Sequence, residues 1–260
     1  TTRGRMVTWL PRSWPRNARL IATTIKGEAS EALGERPGIG MLALPPLKMA
    51  EARGIIKSIC DKYHRTFESE VVAALLAKSG ENGPAWGNPL WLTLAVEELN
   101  LLDADDFARA MRVYVGSPGE RLRALMLDIT ASLPSDIPGL YGHAFERAEE
   151  LFGASTARGF LGLIAVSRAG WRERDFRTLL PLVTGEPWDE LKFAHLRRLF
   201  RGQMRRRGAL AQWDFNHGQM REAARLRLAD GGARETILHA PFPAIRLSPL
   251  RRPSARPRVR

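Results

Sequence analysis

Cysteine is nearly missing from this 260-residue chain. Cys60 stands alone, so no internal disulfide framework is possible, and a reducing compartment is the expected setting. Its place in an amphipathic helical pattern marks it as a buried, inert thiol. Long apolar runs are missing as well: no stretch approaches the roughly 20 residues that cross a bilayer, and no leader of charged then apolar residues stands at the front. A cytoplasmic protein with no membrane partner is expected. The sequence has no Gly-x-x-x-x-Gly-Lys-Ser/Thr loop, so this chain alone is expected not to hydrolyse a nucleotide. His64, His143, His195, His217 and His239 show no metal-ligand spacing, and neither a nucleophile elbow nor a carboxylate pair stands out.

Acid is scarce at one end. The net charge is +12, and six arginines, Arg246, Arg251, Arg252, Arg256, Arg258 and Arg260, account for half of that excess in a Pro-rich tail with no acidic residue after Glu235. Such a tail cannot build a core, and disorder is expected over 231–260. The chain opens Thr1-Thr2-Arg3 without a methionine, which reads as a piece of a longer protein.

What is present is a 44% hydrophobic chain, enough for a packed core. "ARLIATTI" (18–25) and "MLALPPL" (41–47) read as buried neighbours in a parallel sheet. Two strands alone would be an unstable remnant. From Lys48 the periodicity turns helical, with Ala52, Ile55, Ile56, Ile59, Cys60 and Tyr63 on one face. Val71 to Leu76 mark a second helix. A third begins at Gly87-Asn88-Pro89, where Asn88 can cap the first turn and Pro89 needs no amide partner. Trp91, Ala95, Leu99 and Leu102, with Leu90, Leu92, Leu94 and Val96, make that helix apolar on nearly every side, so neighbours must cover it.

Further helices follow at 103–115, capped by Asp103, at 118–134, and at 136–152. "STARGFLGLIAVSRAG" (155–170) reads as a helix capped by Ser155 or Thr156 and ended by Gly170. "WRERDFRTLLPLV" and "PWDELKFAHLRRLFRGQMRRRG" read as two more. "ALAQWDF" alternates like a half-buried strand, and "HGQMREAARLRL" closes with a helix. Three helices, a short ribbon and a last helix outline a winged helix. Trp171, Trp188 and Trp213 read as core anchors.

In this order, "LIATT", "LPPL", "GNPLWLTLAVEEL", "GLIAVSRAGWRERDF" and "WDFNHGQMREA" resemble the C-terminal half of the nucleotide-binding module of STAND signalling ATPases, nearest to the NACHT-type modules of nephrocystin-like and telomerase-associated proteins. The resemblance covers about residues 7 to 230. It implies a mainly α chain: a remnant of a parallel α/β nucleotide-binding sheet (1–46), a helical lid (47–133), a winged helix (134–230) and the basic tail (231–260).

It further implies a switch that closes around ADP and opens on exchange for ATP with Mg²⁺ in the complete protein. The P-loop domain would lie upstream as a partner in the same protein, self-association would be the output, and no nucleotide would bind tightly to this chain alone. By the same resemblance Thr23 and Thr24 match the sensor strand, Gly87, Asn88 and Pro89 the lid motif that packs on the base, and His217 the winged-helix histidine that reaches the β-phosphate. Ile25 and Gly218 stand where the family often has Arg and Asp.

A rival reading rests on "HLRRLFRGQMRRRG". Arg197, Arg198, Arg201, Arg205, Arg206 and Arg207 crowd what reads as one helix, the element that would enter a major groove if a winged helix bound DNA. Their late position in that helix argues against specific base reading, since recognition helices read bases with their early residues.

Overall fold

The computed structural model describes residues 7–11, 13–81 and 83–229, and the expected disorder of the tail at 231–260 lies outside them. The described chain is mainly helical. Two compact units divide between Pro46 and Leu47.

The first unit holds one short helix, α1 (Glu28–Gly34), and a minimal cluster of Val7, Leu10 and Leu33. Arg36 ties it together, its guanidinium donating to the carbonyls of Val7 (2.6 Å) and Pro11 (3.1 Å). Here two expectations fail. Residues 18–25 and 41–47 form no strands, and Ile21, Ile25, Leu42 and Leu44 are each more than four-fifths exposed. An extended segment becomes a strand only when a neighbour takes its backbone N–H and C=O groups. Among the described residues neither segment pairs into a sheet, with the other or with any strand.

The second unit begins with α2 (Met49–Lys62), α3 (Ser69–Ala77), the tiny strands β1 (Ser79–Gly80) and β2 (Gly83–Pro84), and a 3-10 turn at Ala85–Gly87. Then come α4 (Pro89–Asn100), α5 (Ala104–Val113), α6 (Pro118–Ser132) and α7 (Ile137–Phe152). Caps define the starts of α4 and α5 as the sequence predicts, and a further cap, Ser117, starts α6. The Asn88 carboxamide accepts the Leu90 N–H (2.9 Å) with Pro89 in the first turn, Asp103 accepts from Asp105 and Asp106, and Ser117 accepts from Glu120.

The chain continues through α8 (Ala154–Val166), α9 (Glu173–Thr184), α10 (Glu190–Leu199), the hairpin β3 (Met204–Arg207) and β4 (Gln212–Phe215), and α11 (Gly218–Ala229). Trp171, between α8 and α9, bridges antiparallel to Trp213, so β4 is flanked by β3 on one side and by a single residue on the other.

Two boundaries differ from expectation. Ser155 and Thr156 lie inside α8, not at its cap; the Ser155 hydroxyl donates to the Thr184 carbonyl (3.2 Å) and that of Thr156 to Glu186 (2.8 Å). Gly170 does not end that helix, which stops at Val166. It lies instead against β4 at φ +80°, where an added Cβ would stand 2.1 Å from the Trp213 carbonyl oxygen.

One core runs from Ala52 in α2 to Leu228 in α11 without a break at the expected 133/134 boundary. Phe160, Phe176, Phe193 and Phe200 pack ring on ring at its centre, with centroids 5.1 to 6.3 Å apart. A smaller cluster of Leu102, Ala110 and Leu125 seals α5 onto α6. No helix among the described residues is long and apolar enough to cross a membrane.

Candidate functional site

Much of the basic charge works inside the fold. The last carbonyls of a helix lack intrahelical partners and carry partial negative charge, so a cation placed there is favoured. Lys78 donates to the carbonyls of Ala131 and Leu133 at the end of α6, both at 2.6 Å. Arg221 donates to Ile164 (2.5 Å), Ala165 (3.0 Å) and Ser167 (2.7 Å) at the end of α8, and Arg201 to Asn100 (3.2 Å) at the end of α4.

Buried carboxylates take up more of it. Asp214, 1% exposed, is clamped between Arg221 and Arg207, the latter at 3.0 Å. Glu98 receives Arg147 at 2.6 Å, and Arg147 also reaches Asp106 at 3.2 Å, which ties α4, α5 and α7 together. Glu97, 5% exposed, accepts the Tyr63 hydroxyl at 2.7 Å, with Lys62 at 3.7 Å and Arg201 at 4.0 Å. Burial, then the Glu97 hydrogen bond, push the Tyr63 phenol above its ordinary value. Gly202 faces this carboxylate so closely that a Cβ would come within 3.2 Å of it, which fixes the turn between α10 and β3 against α4. These acids are invisible to periodicity, because a glutamate in a helix reads as its solvent face.

The residues expected to meet a nucleotide belong to both units, and each is described in its own. Thr23 and Thr24 belong to the first unit and are exposed; the Thr24 hydroxyl donates to the Ile25 carbonyl (3.1 Å). In the second unit Gly87 is buried and its carbonyl accepts the Leu47 N–H (2.9 Å), while Asn88 is engaged as the cap of α4. The exposed Pro89 ring, with half-buried Trp86 and Leu90 beside it in sequence, leaves an apolar helix mouth. His217 is exposed where α11 begins. Its neighbour Asn216 is committed to the 202–203 turn, donating from its amide to the Gln203 carbonyl (2.8 Å) and from its side chain to the Gly202 carbonyl (3.0 Å).

The six arginines do not share one helix. Gly202 and the turn after Phe200 end α10, so Arg197 and Arg198 stay helical, Arg201 lies in the turn, and Arg205, Arg206 and Arg207 form the strand β3. A run of arginines carries no apolar signal of either period, so nothing in the sequence marks where the helix gives way to the strand. Arg197 pairs with Glu173 (2.9 Å) and covers one ring of Trp213 at 5.4 Å; Arg206 lies over the same ring at 4.7 Å. Arg198 and Arg205 are exposed, and their guanidinium groups take no ion pair or hydrogen bond among the described residues.

A pocket between α9 and α10 is lined by Thr156, Leu180, Pro181, Glu186, Trp188 and Phe193, among others. Its polar groups are already satisfied by one another. The Thr156 hydroxyl, then Lys192 at 3.3 Å, hold the Glu186 carboxyl below its ordinary value. No family model, curated protein or solved structure matches this chain.

Proposed function

We propose that residues 47–229 supply the lid and winged-helix parts of a nucleotide-gated STAND-type switch, whose P-loop domain belongs to the preceding sequence of the parent gene. One observation carries this reading. Three helices, α8 to α10, are followed by a hairpin whose second strand also pairs with Trp171 between the first two, and a further helix closes the segment. That order is what a winged helix would have, and it follows helices whose third begins at a Gly-Asn-Pro mouth, which supports the reading.

The chemistry of that mouth suits a planar base better than a phosphate. Pro89 offers an apolar ring, while the Gly87 carbonyl and the Asn88 side chain are already engaged. His217, solvent-facing at a helix start, is the donor available for a phosphate oxygen, and a charge-assisted bond there would favour the closed state. In this reading ATP and ADP with Mg²⁺ are the ligands of the complete protein, and self-association in the cytoplasm is the output.

The test is calorimetric titration of the whole-gene product with ADP and with ATP plus Mg²⁺. His217→Ala is expected to weaken ADP at least tenfold and ATP much less, and Pro89→Ala to weaken both. A whole-gene product that binds neither nucleotide, or a parent gene without a Gly-rich Lys-Ser/Thr loop, would falsify the reading.

A further inference from the structure

The β3 strand is the open side of its sheet. Its inner side pairs with β4 through Arg205 opposite Asp214 and Arg207 opposite Gln212, while Trp171 holds the far side of β4. Trp171 and Trp213 exchange both backbone hydrogen bonds (2.8 and 3.1 Å), so Trp213 spends its N–H and C=O on that side. Arg206, opposite Trp213, is therefore a non-hydrogen-bonded pair whose own N–H and C=O point outward.

Two acids that face this ribbon are already paired. Asp214 is buried against Arg207 and Arg221, and Glu173 is paired with Arg197. Three exposed arginines in the segments that meet Trp213 keep no side-chain partner among the described residues: Arg205 in β3, Arg198 beside Arg197 near the end of α10, and Arg168 in the turn that leads through Gly170 to Trp171.

We infer that this arginine edge contacts the phosphate backbone of duplex nucleic acid without reading its bases, independently of any nucleotide switch. Three features select that partner. The first turn of α10 is acidic, with Asp189 and Glu190 exposed, and a recognition helix would present that turn to the bases. Trp213 is covered by Arg197 and Arg206 and so offers no platform for stacking single-stranded bases. The ribbon exposes only Leu210 among its large apolar residues, whereas a protein interface needs an apolar centre depleted of charge. What remains is a set of guanidinium forks suited to phosphate oxygens, and such contacts position a duplex without specifying sequence.

The experiment is fluorescence anisotropy of a labelled 20-base-pair duplex with the full chain from 50 to 200 mM salt. It compares wild type, an Arg168→Ser/Arg198→Ser/Arg205→Ser variant, and a variant with the six arginines of 246–260 changed to serine. The substituted sites within 47–229 are exposed, so circular dichroism and Tm are expected to stay unchanged in the triple variant.

The triple variant is expected to lower the slope of log affinity against log salt by about 2.7, from about 0.9 per lost phosphate contact, and to bind more than tenfold more weakly at 150 mM. Scrambling the duplex sequence is expected to change affinity less than about threefold. The inference is overturned if the wild type leaves the duplex free at 50 mM salt, or if the triple variant binds like wild type while the tail variant does not. It is equally overturned if polyglutamate displaces the duplex at matched charge.

Discussion

The two units of this chain carry similar apolar segments and treat them in opposite ways. Leu92, Leu94, Ala95 and Val96 in α4 are buried on every side, whereas Ile21, Ile25, Leu42 and Leu44 in the first unit face solvent. A helix satisfies its own backbone and needs only side-chain cover, which α2, α6 and α7 give to α4. An extended segment needs a neighbour for its backbone as well. Stability in the second unit should therefore depend on particular internal groups, and the first unit should be indifferent to its own apolar side chains.

The sharpest way to break the second unit is at Asp214. Asp214→Ala leaves Arg221 uncompensated between the end of α8 and β4, and a loss of about 3–5 kcal/mol is expected in urea unfolding. Adding Arg221→Met should recover part of it, because an uncompensated buried charge costs more than a missing pair. Equal losses in the single and double variants would show that Asp214 matters by shape alone.

At the junction of α4 with the 200–203 turn, Glu97→Gln keeps a hydrogen-bond acceptor for Tyr63 but removes the charge facing Arg201 and Lys62. The expected loss is about 1–3 kcal/mol. Gly202→Ala should cost a comparable amount, since its Cβ would crowd the same carboxylate. If both variants unfold at the wild-type midpoint, the turn is not held by this group.

Glu149 offers a pH handle. Burial opposes its charge, yet hydrogen bonds from Arg158 (2.9 and 3.0 Å) and Arg227 (3.1 and 3.2 Å) outweigh that and bring its carboxyl below the ordinary 4.5. Its folded value is depressed, so the stabilisation is complete above the unfolded value. It fades as pH falls through the lower, folded one. Unfolding midpoints measured from pH 6 down to pH 3 should fall less steeply for Glu149→Gln than for wild type, with a neutral-pH cost of about 1–2 kcal/mol. Parallel curves would remove Glu149 from the acid response.

The helices were largely legible because their signals are local. Asn88 and Asp103 cap as their sequence positions predict. Where the reading failed, the deciding partner lay outside the element being read. Gly170 resembles a helix stop, but what it needs is the close approach of Trp213. Arg205 to Arg207 look helical until β4 supplies the ladder. The buried pairing of Glu97 with Tyr63 joins residues that no helical window contains together. Of the candidate site, the exposed Pro89 mouth and His217 stood out by motif, while Arg168 and the partnerless state of Arg198 and Arg205 became visible only once the neighbouring acids had been assigned.

The smallest expected effect tests the first unit. Ile21→Ser with Leu42→Ser removes two large side chains that bury almost nothing, so the unfolding free energy of this chain should stay within about 0.5 kcal/mol of wild type. Backbone amides at 18–25 should exchange with solvent far faster than those of α8, because they lack ladder partners. A loss of 2 kcal/mol, or slow exchange at 18–25, would collapse the contrast between the units. The same pair of variants in the whole-gene product sharpens it further. If an upstream sheet receives these segments, as the switch reading requires, the amides become protected there and the serine substitutions become costly, since the side chains then leave water on folding. Fast exchange in both proteins would detach the first unit from that sheet and leave the apolar run of 18–25 without the role the switch reading assigns to it.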